Sequence, residues 1–163
     1  MGRGEIKMIN KLKEMLEMQR LLDENIYKTH NVEYDEEKTY LALIDEIGEL
    51  NQELKAEWCW WKKTVKPVDR EKVLEELVDV WHFALSIFYQ NHCGVGISKQ
   101  AIQYFEDLEL CELYLCLVRK VQKICLLEMI LALTYKLGFD FEDVYKCYKK
   151  KNEVNWQRLK NNY

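Results

Sequence analysis

Between Val73 and Phe88 the chain carries Val73, Leu74, Leu77, Val78, Val80, Trp81, Phe83, Ala84, Leu85, Ile87 and Phe88. At ~100° per residue these side chains cover almost the whole circumference of a helix. A helix that is apolar on every side is buried on every side, so the rest of the chain must surround it. Only helices are on offer for that role. Leu, Glu and Lys abound, against a single proline (Pro67) and six glycines in 163 residues, and no segment alternates as a strand would. The expected fold is all-α, a mostly antiparallel helical bundle. Residues 1–163 read as one domain, long enough to bury a sizeable core.

The pattern divides into helices at its punctuation. A first helix is predicted from about Glu5 to Lys28, with Ile9, Leu12, Met15 and Leu16 on its apolar side. After a polar connection a second runs from Asp35 or Glu36 to about Lys63, burying Leu43, Ile47, Leu50, Leu54 and Trp58. Val65 to Val68, with the proline, breaks it. Asp69 is placed to cap the apolar helix, which ends at Gln90 or Asn91. Gly94 and Gly96 mark a loop, and one or two helices fill Ser98 to Leu137. Gly138 caps that run, and Asp140 opens a last helix toward Leu159.

Two carboxylates interrupt the buried helix, Glu76 and Asp79. Burying unpaired charge costs several kcal/mol, ~20 in the idealised limit, so they require a metal, a basic partner or a proton. The preceding helix repeats the spacing with Glu46-x-x-Glu49, beside Leu43 and Leu50. Residues three apart share a helix face, so four acidic groups on two helices would converge and repel unless a cation lies between them. An oxygen-only ligand set favours a hard ion such as Mg²⁺, which usually brings a phosphate. Glu75 and Glu53 are adjacent in phase and suit a supporting or a solvated role.

Neighbouring residues fit a nucleotide. Trp58, Trp60 and Trp61, with Lys62 and Lys63, follow the first acidic pair. They cannot all point inward, which leaves at least one for stacking. His82 and Phe83 follow Asp79; from spacing alone His82 reads as a hydrogen-bonded core residue. Lys149 to Arg158, KKKNEVNWQR, is the one dense basic cluster and mixes Asn152, Asn155 and Trp156 among its charges.

Several classes are excluded. A net charge of −4 argues against a general nucleic-acid binder. Six scattered cysteines without a C-x-x-C pair suit buried thiols in the cytoplasm. The N-terminus lacks the apolar core of a signal peptide. Ile124 to Leu133, broken by Glu128, is too short to span a bilayer, so no membrane partner is expected.

Taken in order, MLEMQ (Met15 to Gln19), DEIGEL (Asp45 to Leu50), WWK (Trp60 to Lys62), EELVDVWHF (Glu75 to Phe83) and KNEVNWQR (Lys151 to Arg158) resemble the dimeric all-α dUTPases, a branch of the all-α NTP pyrophosphatases. The resemblance implies a homodimer that cleaves dUTP to dUMP and pyrophosphate with Mg²⁺, and favours attack at the β-phosphorus. It further implies that Glu46, Glu49, Glu76 and Asp79 bind the metals and that Glu49 activates the attacking water. By the same likeness Gln19 contacts the nucleotide, His82 and Phe83 line a uracil pocket, and Trp61 and Lys62 lie near the nucleotide. Lys151, Asn152, Asn155 and Arg158 would close over phosphates and sugar. Many members have asparagine where this chain has Asp23, and a carboxylate cannot donate an amide hydrogen bond to a base. Ile97 to Lys136 carries no family motif and reads as bundle and dimer surface.

Three rivals remain. A related pyrophosphatase acting on another triphosphate such as dCTP would share the carboxylates and differ in its pocket. A ferritin-like di-iron bundle needs Glu-x-x-His on two helices, which His30, His82 and His92 do not provide. A helical partner-binding protein with solvated acidic stripes predicts no metal affinity.

Overall fold

In a computed structural model that describes residues 3–91, 97–120 and 125–161, the chain is all-α and every described element is a helix. In order these are α1 (Arg3–His30), α2 (Glu36–Glu53), the short α3 (Lys55–Trp58), α4 (Arg70–Asn91), α5 (Lys99–Glu106), α6 (Leu110–Lys120), α7 (Leu126–Lys136) and α8 (Phe141–Lys160). Among the described residues three helices therefore lie in the stretch where one or two were expected. The expected loop at Gly94 and Gly96 lies outside the described residues.

The apolar helix is the centre of the bundle. α4 packs against α1, α2, α7 and α8, and Leu77, Val78, Val80, Trp81, Ala84 and Leu85 are completely buried. Trp81 meets the Phe141 ring edge to face at 5.8 Å and donates its indole N–H to Thr134 Oγ1 (3.2 Å), so its one polar atom is satisfied inside the core. α2 lies antiparallel to α4, since Asn91 at the end of α4 donates to Glu36 at the start of α2 (3.2 Å). α1 and α8 run in the same direction as each other, tied by Lys11–Glu142, Tyr145–Glu14 and Tyr148–Gln19.

The helix ends follow the predicted caps. Asp69 accepts from the backbone N–H of Glu71 and Lys72 at the start of α4. Asp140 and Asp143 form a reciprocal capping box on α8. Gly138 takes φ +77°, with Gly138 N–H on Tyr135 O and Phe139 N–H on Thr134 O, the paired bonds of a Schellman ending.

α2 is the exception, for it stops at Glu53 rather than near Lys63. The chain turns at Leu54 (φ −93°, ψ 15°), which keeps Leu54 in the core. The Trp58 indole then donates to Asn51 O (2.9 Å), satisfying a carbonyl that the ended helix leaves open. Among the described residues no helix is long and apolar enough to cross a membrane.

Candidate functional site

α2 and α4 bring their acidic pairs to one cavity of about 500 Å³, which α1 and α8 complete. Glu46 and Glu49 line it from α2, Glu76, Asp79, His82 and Phe83 from α4, Gln19 and Asp23 from α1, and Lys151, Asn155 and Arg158 from α8. Leu22, Ile26, His30 and Leu159 add to its wall. Carboxylate oxygens of Glu46, Glu49 and Glu76 lie within 4.8 Å of one another. Burial, and then the charges of Asp79, Glu49 and Glu76, push the Glu46 carboxyl up to about 7. Burial raises Glu76 as well, against the pull of Lys151.

Asp79 has a different environment. The apolar helix offers it no cation, and α8 supplies one: Lys151 forms an ion pair with its carboxylate and also reaches the Glu75 carbonyl (3.4 Å). Burial raises Asp79, and the hydrogen bond from Lys151 opposes that rise. Of the metal, basic partner or proton that the sequence allowed, a basic partner thus comes from 72 residues away.

A buried hydrogen-bond network backs the other end of the cavity. Gln19 donates Nε2–H to Asp23 (2.8 Å), and its Oε1 accepts from Tyr148 Oη (2.8 Å) and lies 2.7 Å from His82 Nδ1. Asp23 also accepts from Ser86 Oγ (2.5 Å) and Tyr89 Oη (3.1 Å). Burial pushes Asp23 up, and these three donors hold it back. Tyr148 stacks on the His82 ring, 4.2 Å between centroids. Burial, helped by the charge of Lys151, holds His82 down to about 3, so the imidazole is neutral. Ser86, Tyr89 and Tyr148 were not singled out from sequence. Their positions look like ordinary core positions, and only Tyr148, one turn before Asn152, lay near a marked motif.

Three expected residues are not brought into this cavity. Trp61 is half-exposed and packs on Trp58 and Trp60, with ring centroids 5.5 and 5.9 Å apart. Lys62 lines a separate surface hollow with Gln52, Glu53 and Lys66. Both follow from the early end of α2, which carries the chain out of register with the acidic face. Asn152, although next to Lys151 in sequence, is 3 % exposed and does not line the cavity.

A central helix bearing carboxylates, a second acidic helix beside it and a cationic stripe opposite thus face one cavity in an all-α fold. The sequence matches the family model described as dUTPase over residues 11–163. The chain therefore belongs to the dimeric all-α dUTPase family and is a hydrolase of the dUTP diphosphatase type. Comparison with curated proteins gave no match.

Proposed function

We propose that the chain, as one domain over residues 1–163, hydrolyses dUTP to dUMP and pyrophosphate with Mg²⁺ held by Glu46, Glu49, Glu76 and Asp79. The observation that carries this reading is the crowding of Glu46, Glu49 and Glu76 oxygens within 4.8 Å, with Glu46 forced up to about 7. So dense a set of oxygen donors fits a hard divalent cation. Mg²⁺ bound there would neutralise phosphate charge and acidify a bound water. Glu49, the most exposed of the three clustered carboxylates, is the base that takes the proton from the attacking water. Lys151 can exchange Asp79 for a phosphate oxygen, beside Asn155 and Arg158 on the same face of α8. His82 and Phe83 line the base end, and Gln19 and Asp23 stand behind them.

A second copy fits the outward face of α2. There Leu41, Ala42, Ile44 and Gly48 line a groove of about 790 Å³, with Lys38, Asp45, Glu49 and Gln52 also on its wall. Leu41 and Ile44 are exposed, and a Cβ at Gly48 would meet nothing within 4 Å. Among the described residues only Cys59 is a buried thiol, Cys111 is exposed and Cys116, Cys125 and Cys147 are half-buried, so the expected burial does not hold for most of them; free thiols suit a reducing compartment such as the cytoplasm.

Turnover of all common dNTPs with and without Mg²⁺ tests the reading. Mg²⁺-dependent release of pyrophosphate from dUTP, well above dTTP and dCTP, is expected. In ¹⁸O-labelled water the label should enter pyrophosphate if attack is at the β-phosphorus and dUMP if it is at the α-phosphorus. A preference for dCTP would move the chain to another substrate of the same chemistry.

A further inference from the structure

The Asp23 carboxylate meets three donors, the Gln19 amide N–H on one oxygen and the Ser86 and Tyr89 hydroxyls on the other. An ionised carboxylate only accepts, so Asp23 compels Gln19 to face it with its nitrogen. An asparagine would leave that choice open, because either end of its amide can pair with either end of Gln19. With its nitrogen committed to Asp23, Gln19 turns its oxygen toward His82 Nδ1 at 2.7 Å. A carbonyl oxygen cannot donate, so the proton of the neutral ring sits on Nδ1. Nε2 is then a bare lone pair. It is buried with no hydrogen-bond partner among the described residues, on a ring 5 % exposed that lines the cavity. The stacked Tyr148 ring keeps the imidazole from turning away.

We propose that Asp23, acting through Gln19, fixes the tautomer of His82 so that Nε2 accepts a hydrogen bond from the N3–H of uracil. This rests on the dUTP reading and deepens it. Asp23 is a positioning residue, and His82 Nε2 reads the base. Cytosine presents a lone pair at N3, so the two acceptors would face each other and the buried Nε2 would stay unpaired. Sites built to hydrogen-bond an N–H reject an analogue lacking it by ~10⁴-fold. Thymine has the same pairing edge as uracil, so this device sorts uracil from cytosine only.

The test reads the tautomer directly, by long-range ¹H–¹⁵N spectra of the full chain, with the His82 signals assigned by comparison with His82→Gln. In the ligand-free protein Nδ1 should be protonated and Nε2 pyridine-like. dUMP should shift the Nε2 signal as it takes a hydrogen bond, and N3-methyl-dUMP should not. Asp23→Leu releases Gln19, and Asp23→Ala serves if Asp23→Leu does not fold. Either should mix the two tautomers and lower the dUTP-over-dCTP ratio of kcat/KM at least tenfold. A protonated Nε2 in the unaltered protein overturns the proposal, as does an Asp23→Leu or Asp23→Ala protein with unchanged tautomer and unchanged ratio. The ligand-free spectra are independent of turnover. A chain that fails to hydrolyse dUTP yet shows the Nδ1–H ring would refute the functional reading and leave the tautomer assignment standing.

Discussion

Removing one charge from the acidic cluster should stabilise the metal-free protein, and Glu46→Gln is the cleanest way to do it. Glu46 is held up to about 7 by burial and by three neighbouring carboxylates, against an ordinary value of 4.5. At ~1.4 kcal/mol per pH unit that shift sets a ceiling of ~3 kcal/mol against the ionised form. Glu46 is only half-buried, and solvent screening reduces the figure to about 1–2 kcal/mol. For a chain of this size that is a rise in Tm of ~2–8 °C. The size of the gap depends on pH. Below pH 4.5 the carboxyl is protonated folded and unfolded, and Gln has no advantage. As pH climbs through about 7 the unfolded chain ionises first, so the folded wild type loses stability and the gap opens to its full size.

Thermal unfolding of both proteins in EDTA, at several pH values from 4.5 to 8, measures the gap. Taking the difference removes the opposite slope that His82 contributes. Its folded value is about 3, so its stabilisation is present above its ordinary 6.5 and is lost as pH falls below it. Mg²⁺ with a non-hydrolysable dUTP analogue should close or reverse the gap, because only the wild type keeps all its ligands. A Glu46→Gln protein less stable than wild type at pH 8 in EDTA would refute the reasoning. So would a gap that is the same at pH 4.5 and pH 8.

Glu49→Gln should abolish turnover while leaving nucleotide binding measurable by calorimetry, since the base is lost and the cationic wall is kept. Lys151→Met and Arg158→Met should each raise KM for dUTP, by ~10–100-fold if each contact is worth ~1.5–3 kcal/mol, with a shallower salt dependence of KM. Gly48→Leu fits the open surface of the protomer and replaces a poor helix former at a helix interior, worth about 0.5–1 kcal/mol to α2. If two copies meet on this face as proposed, it should nonetheless shift the protein toward the monomer in light scattering, and Ile44→Glu should do the same.

The bundle was legible wherever local chemistry and burial agree. The apolar circumference of α4, the caps at Asp69 and Asp140 and the left-handed Gly138 are each decided within a few residues, so the sequence carries them. Glu76 and Asp79 were legible for the same reason, because a charge on an all-apolar helix contradicts its surroundings, and Glu46 and Glu49 were legible because they repeat that spacing on the preceding helix. The end of α2 was not. Residues 55–63 keep a helical pattern, and the chain turns where Leu54 is buried in the core, a tertiary event, while Trp58 reaches back seven residues to Asn51. Trp61 and Lys62 were carried out of the cavity by that turn. Tyr148, Ser86 and Tyr89 stayed invisible because a hydroxyl in a core position declares itself only when its partner, on a helix over 60 residues away, is known.

The structure also separates carboxylates that spacing treats alike. Glu46, Glu49 and Glu76 crowd one another, and any one of them can lose its charge with relief to the other two. Asp79 is tied to Lys151, so neutralising it strands a partly buried ammonium while removing one negative charge from Glu46. These two effects oppose each other, since breaking a buried pair by removing one partner is destabilising. Asp79→Asn should therefore gain less stability than Glu46→Gln in the absence of metal. Adding Lys151→Met to Asp79→Asn should recover the difference, because it removes the stranded charge.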